Sequence, residues 1–276
     1  LYKYDTDNLY IYSRCVFSLP KKILIELPTW LGDCVMATPA IENIVNFYND
    51  VEITFIGSFV SIEALKNHPK VVKTVVLSKK YTDLYRTSRE LGNFDAFLSF
   101  RSSFHSKFLK FLISAQYKYQ FDKNQYKNCH QVEKYNNFIN DSLNTNLPAK
   151  KLVLHIKNSK LQIKNSLLPL LGINPGASYG SAKRWYPHEF AKVASELHDR
   201  YDIVIFGGEG EKDIANDIEK ELVKNNTKNY QNLAGKTSIT ELIDYIANLD
   251  LFITGDSGPM HVAAAFQVPT VAIFGP

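Results

Sequence analysis

The chain has 276 residues, 45% hydrophobic, 22% charged and 13% aromatic, enough apolar material for one large core or two of ordinary size, which excludes disorder and fibrous repeats. Lysine and arginine number 32 against 28 acids, a formal charge of +4 spread too evenly to serve duplex DNA, so nucleic acid is not expected as a partner. Cys15, Cys34 and Cys129 stand apart with no CxxC, no run reaches the ~18 apolar residues of a membrane span, and no export signal opens the chain, all of which fits a cytoplasmic protein.

Residues 1–20 hold five aromatics and a proline without periodicity and read as an extension. Lys22–Leu27 is a short apolar run of the kind a parallel strand buried on both faces shows. A turn through Pro28–Asp33 leads to a helix expected from Val35 to about Asn49, then to a strand over Val51–Ile56. Val71–Leu77 and Ala96–Phe100 are further strands, with helices near 59–67, 83–91 and 103–114, an alternation that implies right-handed crossovers and a parallel sheet. The Asn-, Lys- and Ser-rich stretch 141–168 carries one strand-like run, Leu152–Ile156, and the domain linker is expected near its end.

A second series follows. Leu170–Ile173 is a strand opening into Asn174-Pro175-Gly176-Ala177, and Pro187 starts a helix to about Arg200. Ile203–Phe206 is a strand, Glu211–Lys224 a helix, and Leu233-Ala234-Gly235 ends another short strand. Ser238 and Glu241 form a capping box for the helix Ile239–Asn248. Leu251–Thr254 is a strand, Met260–Phe266 a helix and Thr270–Phe274 a last strand, after which the second domain reads as incomplete. Two such sheets in succession place a cleft between them, at the carboxyl ends of the strands.

The candidate chemistry lies at those ends. Asp256-Ser257-Gly258 leads into a helix whose first N–H groups attract anions, phosphate especially, although the same composition makes an ordinary cap. Lys183 and Arg184 can neutralise a pyrophosphate or can be solvated loop charges. Glu209 and Glu211 suit ribose hydroxyls, or simply favour the start of the next helix. Asp33 can act as a general base on an acceptor hydroxyl or serve as an N-cap, and His261 either reaches phosphates or packs beneath them. Arg101, Ser103, His105 and Lys107 gather hydroxyls and positive charge at a strand-to-helix junction. No GxGxxG or P-loop is present, Asp5-Thr6-Asp7 lies in the unpatterned extension, and without HExxH or clustered His/Cys no metal is implied.

Leu27-Pro28-Thr29-Trp30-Leu31-Gly32-Asp33, Asn174-Pro175-Gly176-Ala177 with Lys183-Arg184-Trp185, and Gly255-Asp256-Ser257-Gly258-Pro259-Met260-His261 through Pro276 together resemble glycosyltransferase family 9, the ADP-heptose:lipopolysaccharide heptosyltransferases, and the PTWLGD form is most similar to their heptosyltransferase II branch. The resemblance implies an α/β fold of GT-B type, two Rossmann-like parallel-sheet domains facing across a cleft. After the extension 1–20, residues 21–165 would hold the acceptor and 166–276 the nucleotide sugar. It implies a metal-independent inverting transfer with ADP-heptose as donor, no cofactor, and a lipid A-Kdo-heptose type acceptor.

On the same resemblance, Asp33 is the base, and Lys183 with Ser257 and Gly258 stabilises departing ADP, with Arg184 and His261 nearby. Asp256 meets the donor heptose, Glu211 the ribose, and Leu233, Ala234 and Gly235 the adenine; Arg101, Ser103, His105 and Lys107 meet a phosphorylated or Kdo-bearing acceptor. A lipid-linked acceptor implies transient visits to the inner membrane, yet the sequence displays no amphipathic anchor. A nucleotide-sugar-binding protein without transfer activity and a GT-B-like nucleotide-sugar epimerase are the competing readings.

Overall fold

In the computed structural model, residues 21–156, 168–176 and 185–274 are described. The first half runs β1 (Lys21–Glu26), α1 (Leu31–Tyr48), β2 (Val51–Gly57), α2 (Phe59–Leu65), β3 (Val71–Val76), α3 (Tyr81–Leu91), β4 (Asn93–Ser99), α4 (Phe104–Leu112), β5 (Ser114–Gln120) and α5 (Gln131–Leu143). The second runs β6 (Leu170–Asn174), α6 (Pro187–Leu197), β7 (Asp202–Ile205), α7 (Lys212–Lys224), β8 (Tyr230–Asn232), α8 (Ile239–Ala247), β9 (Leu251–Gly255), α9 (Gly258–Phe266) and β10 (Thr270–Ile273). Two parallel five-stranded sheets result, ordered β3-β2-β1-β4-β5 and β10-β9-β6-β7-β8, the expected α/β fold class.

Strand β1 is central because it is apolar on both faces. Ile23 and Ile25 pack in the core beneath α1, α2 and α5, while Leu24 packs with Leu84 and Leu109 under α3 and α4. Each fully buried aliphatic side chain of this kind contributes roughly 1.5–3 kcal/mol.

Helix α1 starts at Leu31, four residues before the expected Val35, with Trp30 at the N-cap. Asp33 is therefore inside the first turn and is not the cap; there it still benefits from the positive helix end. Pro39 lies within α1 and has no N–H to offer the Val35 carbonyl, which instead accepts from the Thr38 hydroxyl at 2.7 Å.

Thr38 Oγ1 also accepts the Val153 amide at 3.0 Å, and this explains Leu152–Ile156. The run forms no strand; its apolar side chains pack against the first core, with its backbone hooked onto α1. Two elements went unread in the sequence. β5 is a half-exposed polar edge strand, and α5 is an Asn-rich helix started by a His130–Glu133 capping box and packed on α1.

The halves meet where α1 touches α9 and α2 touches α8. Thr240 donates to Glu63 Oε2 at 3.0 Å across the second contact. Glycines set the closeness of the first: a Cβ on Gly32 would stand 2.7 Å from His261 Cδ2, and one on Gly258 2.9 Å from the Leu31 Cβ. No described helix is long and apolar enough to cross a membrane.

Candidate active site

The N-terminal ends of α1 and α9 open into one cavity of about 390 Å3 between the two halves. Trp30, Leu31 and Gly32 line it from the first half, and Asp256, Ser257 and Gly258 from the second. Neither N-cap, Trp30 nor Ser257, supplies a side-chain hydrogen bond to its helix. The first-turn amides of α1 therefore lack a side-chain partner, while at α9 Pro259 has no amide and Met260 donates to the Ser257 carbonyl at 3.2 Å, which leaves the Gly258 amide, and two positive helix ends point at the same space. Such a site suits a diphosphate. The simple-cap reading of Ser257 is not met: its hydroxyl lies 3.3 Å from both Asn174 Nδ2 and Thr254 Oγ1, held by the floor of the cavity.

Asn174, read from sequence only as part of a turn, has a structural role here. It is buried at the end of β6, and its Nδ2 also lies 3.4 Å from the Gly176 carbonyl oxygen, so it ties the Pro175-Gly176 turn to the start of α9. An amide at the carboxyl end of a central strand is the signal that marks it.

Asp33 sits one residue beyond the cavity wall, half-buried, and burial raises its carboxyl above the ordinary range. A carboxylate made more basic in a cleft suits proton abstraction. Its negative charge, second to burial, also helps push up the Tyr135 phenol. His261 packs its ring against Gly32, and burial lowers its pKa, so it is a neutral group where α1 and α9 meet.

Glu211 lines the cavity, with Oε2 accepting the Gly208 amide at 2.7 Å and the carboxylate lying over Gly176, where a Cβ would collide with it. Glu209 is instead exposed and paired with Lys212, which separates the two glutamates. Leu233 and Ala234 are buried, and Gly235 follows at positive φ with its amide on the Gly207 carbonyl. These three lie behind Gly207, itself part of the cavity wall. Lys183 and Arg184 lie outside the described residues.

The four residues at the β4–α4 junction are not among those lining this cavity. Arg101 Nη1 lies 3.3 Å from Glu26 Oε1. Ser103 is the N-cap of α4, accepting from the Ser106 amide. The His105 ring lies tilted against Tyr81, 5.5 Å between ring centroids, and burial together with Arg101 lowers its pKa. Lys107 is exposed on α4. Glu26, the one acid inside the first apolar run, lies beneath this junction. Burial raises its carboxyl, against the opposing hydrogen bonds of Ser99 and Ser106 and the charge of Arg101.

Glu42, His68 and His155 form the one three-residue group among the described residues with metal-ligand spacing, their atoms within 4.8 Å of one another. It lies on the middle of α1, away from the cavity. His68 Nδ1 accepts the Lys70 amide at 3.1 Å, so its proton is on Nε2 and donates to Glu42 Oε1 at 3.0 Å. That nitrogen is a donor rather than a ligand, so Glu42 and His68 form a hydrogen-bonded pair, with His155 Nε2 3.9 Å from the same carboxylate oxygen.

Among known proteins, the sequence profile of glycosyltransferase family 9 (heptosyltransferase) matches residues 84–276. Lipooligosaccharide heptosyltransferase 2 of Campylobacter jejuni serotype O:2 is 45% identical over 263 residues, covering 92% of this chain and 81% of that protein. Its counterpart from serotype O:6 is 42% identical over 263 residues, with 92% and 82% covered. The solved structure of E. coli ADP-heptose LPS heptosyltransferase II matches with a TM-score of 0.79 at 25% identity, across 92% of this chain and 85% of that one.

Proposed function

Because the chain belongs to glycosyltransferase family 9, the heptosyltransferases, we propose that it moves L-glycero-D-manno-heptose from ADP-heptose to a heptose of the lipopolysaccharide inner core, with inversion. The observation that carries this reading is the meeting of two uncapped helix starts at one cavity, with a basic carboxylate, Asp33, in the first turn of one of them.

Asp33 takes the proton of the acceptor hydroxyl as its oxygen bonds to the anomeric carbon. The bond from that carbon to the terminal phosphate oxygen breaks, and its electron pair leaves on ADP. The start of α9 at Ser257 and Gly258, with Lys183 and Arg184, stabilises the departing charge more than it does the bound donor. These groups supply positive charge at the diphosphate, so the step needs no metal. Asp256 orients the donor heptose, Glu211 accepts from the ribose, and the backbone at Leu233, Ala234 and Gly235 flanks adenine.

Residues 21–165 bind the acceptor, with Arg101, Ser103, His105 and Lys107 meeting its anionic groups, and 166–276 bind the nucleotide sugar. The enzyme acts in the cytoplasm and touches the inner membrane transiently to reach a lipid A-Kdo-heptose type acceptor. The test is ADP release from ADP-heptose with and without a core acceptor already bearing one heptose. Release that requires acceptor is expected. Acceptor-independent consumption indicates an epimerase-like reaction, and no release overturns the transfer.

A further inference from the structure

Helices α3 and α4 cover one face of the first sheet and pack chiefly on each other and on that sheet, which leaves their outer sides open among the described residues. On α4 the inward residues are Leu109, Leu112 and Ile113. At helical spacing, Phe104, Lys107 and Phe111 then form the opposite stripe, and the two phenylalanines are 75% and 80% exposed. On α3, Tyr81 and Tyr85 are 48% and 57% exposed and one turn apart. The two helices adjoin along these sides: the Tyr81 ring lies 5.2 Å from Phe108 and 5.5 Å from His105, the neighbours of Lys107 and Phe104 on α4. Burying four large aromatics is favourable, so their exposure on one face needs a reason.

Charge gives that reason a sign. Over residues 79–91 and 104–112 there are six lysines and arginines against two acids, an excess equal to the formal +4 of the whole chain. Arg86, Arg89 and Lys107 are exposed beside the aromatic rows, as are Lys79 and Lys80 just before α3. Aromatics interleaved with cations match the interface of an anionic bilayer, where rings sit at headgroup level and cations meet lipid phosphates. A protein partner of ordinary interface composition would not need so many lysines.

Placement agrees. Both helices begin at the carboxyl edge of the sheet, the edge that carries the β4–α4 junction and Arg101. We propose that the outer face of α3 and α4 is a docking surface for an anionic lipid bilayer, laying the first half on the membrane with the junction at Arg101 turned toward lipid-linked acceptor. The role of the acceptor rests on the proposed transfer; the binding itself does not.

The test uses vesicles that contain no acceptor. The full chain is expected to co-sediment with phosphatidylglycerol/phosphatidylethanolamine vesicles, to release in high salt, and to ignore phosphatidylcholine vesicles. Tyr85→Ser with Phe111→Ser, and separately Arg86→Gln with Arg89→Gln, should each lower partitioning about tenfold. ADP release with a deacylated, water-soluble acceptor should stay unchanged in both, which also reports that they fold. Absence of vesicle binding by the unaltered chain, or equal binding by either variant, overturns the proposal. So does a dimer of the unaltered chain that the variants abolish without any vesicle binding, since the face would then serve a second copy. Loss of transfer with retained vesicle binding would count against the enzyme reading and leave the surface intact.

Discussion

Glu26, with no exposed surface, accepts a hydrogen bond from the Arg101 guanidinium at 3.3 Å and so holds it from beneath. The same carboxylate accepts from Ser106 at 2.8 Å and from Ser99 at 2.6 Å, joining three successive parts of the β4–α4 junction. Gln120, at the end of β5, donates to the Arg101 carbonyl at 3.1 Å and fixes the backbone as well. Arg101 is thereby presented as an oriented cation, with Glu26 as its positioning residue.

Glu26→Gln keeps the shape and removes the charge. The acceptor KM is expected to rise about tenfold, the worth of one charge-assisted hydrogen bond, while the ADP-heptose KM stays unchanged. Steady-state kinetics in both substrates read the split; an unaltered acceptor KM would remove Glu26 as a positioning residue for acceptor binding.

Asp33→Asn should lower turnover by roughly 10²–10⁴-fold with ADP affinity nearly constant. Because burial raises the Asp33 pKa, the acid limb of the rate profile should lie above the ordinary carboxylate range. The linkage has a definite sign. A carboxyl with a folded pKa above its unfolded value contributes stability below the unfolded pKa and loses it as pH rises through the folded one. Asp33→Asn is thus expected to melt no lower than the parent at neutral pH, with any gain vanishing in acid. A variant that melts clearly lower at neutral pH would contradict this.

Gly258→Ala places a methyl 2.9 Å from the Leu31 Cβ, an atom next to the backbone that cannot swing away. Strain of about 1–3 kcal/mol should lower the melting temperature and part α1 from α9, with a fall in ADP affinity. Gly32→Ala presses instead on the His261 ring, so His261→Ala should rescue it but not Gly258→Ala. Calorimetry of the single and double variants decides, and equal rescue of both would refute the pairwise contact.

An excess of zinc should leave the melting temperature unchanged, since His68 Nε2 holds its proton toward Glu42. The hydrogen bond from His68 lowers the Glu42 pKa, so its stabilisation is present above the ordinary carboxylate pKa and lost as pH falls. A zinc-dependent rise in melting temperature that Glu42→Gln abolishes would establish a metal site there.

Elements buried on both faces were legible in the sequence, as with Ile23 and Leu24 in β1, because a continuous apolar run has few other uses. β5 was not, since an edge strand carrying Gln116, Lys118 and Gln120 lacks that signal. α5 was hidden for a different reason: Asn136 and Asn140 are poor helix formers that tertiary contacts repay, Asn136 by a 2.7 Å bond from Asn43 and both by bonds to the Leu147 carbonyl. Leu152–Ile156 misled because apolar packing alone, without strand pairing, leaves the same pattern. At the site, the Gly and Asp motifs could be read by position. The ties from Glu26 and Asn174 could not, being contacts between residues 75 and 83 positions apart in the chain.

Thr38 gives α1 a second task. The helix that bears Asp33 in its first turn grips, a turn and a half further on, the amide of Val153 in the segment leading to the second sheet. The chain as far as Val153 is thereby fastened to the same helix as Asp33, so any shift of α1 is passed directly to the backbone that runs on toward the second sheet.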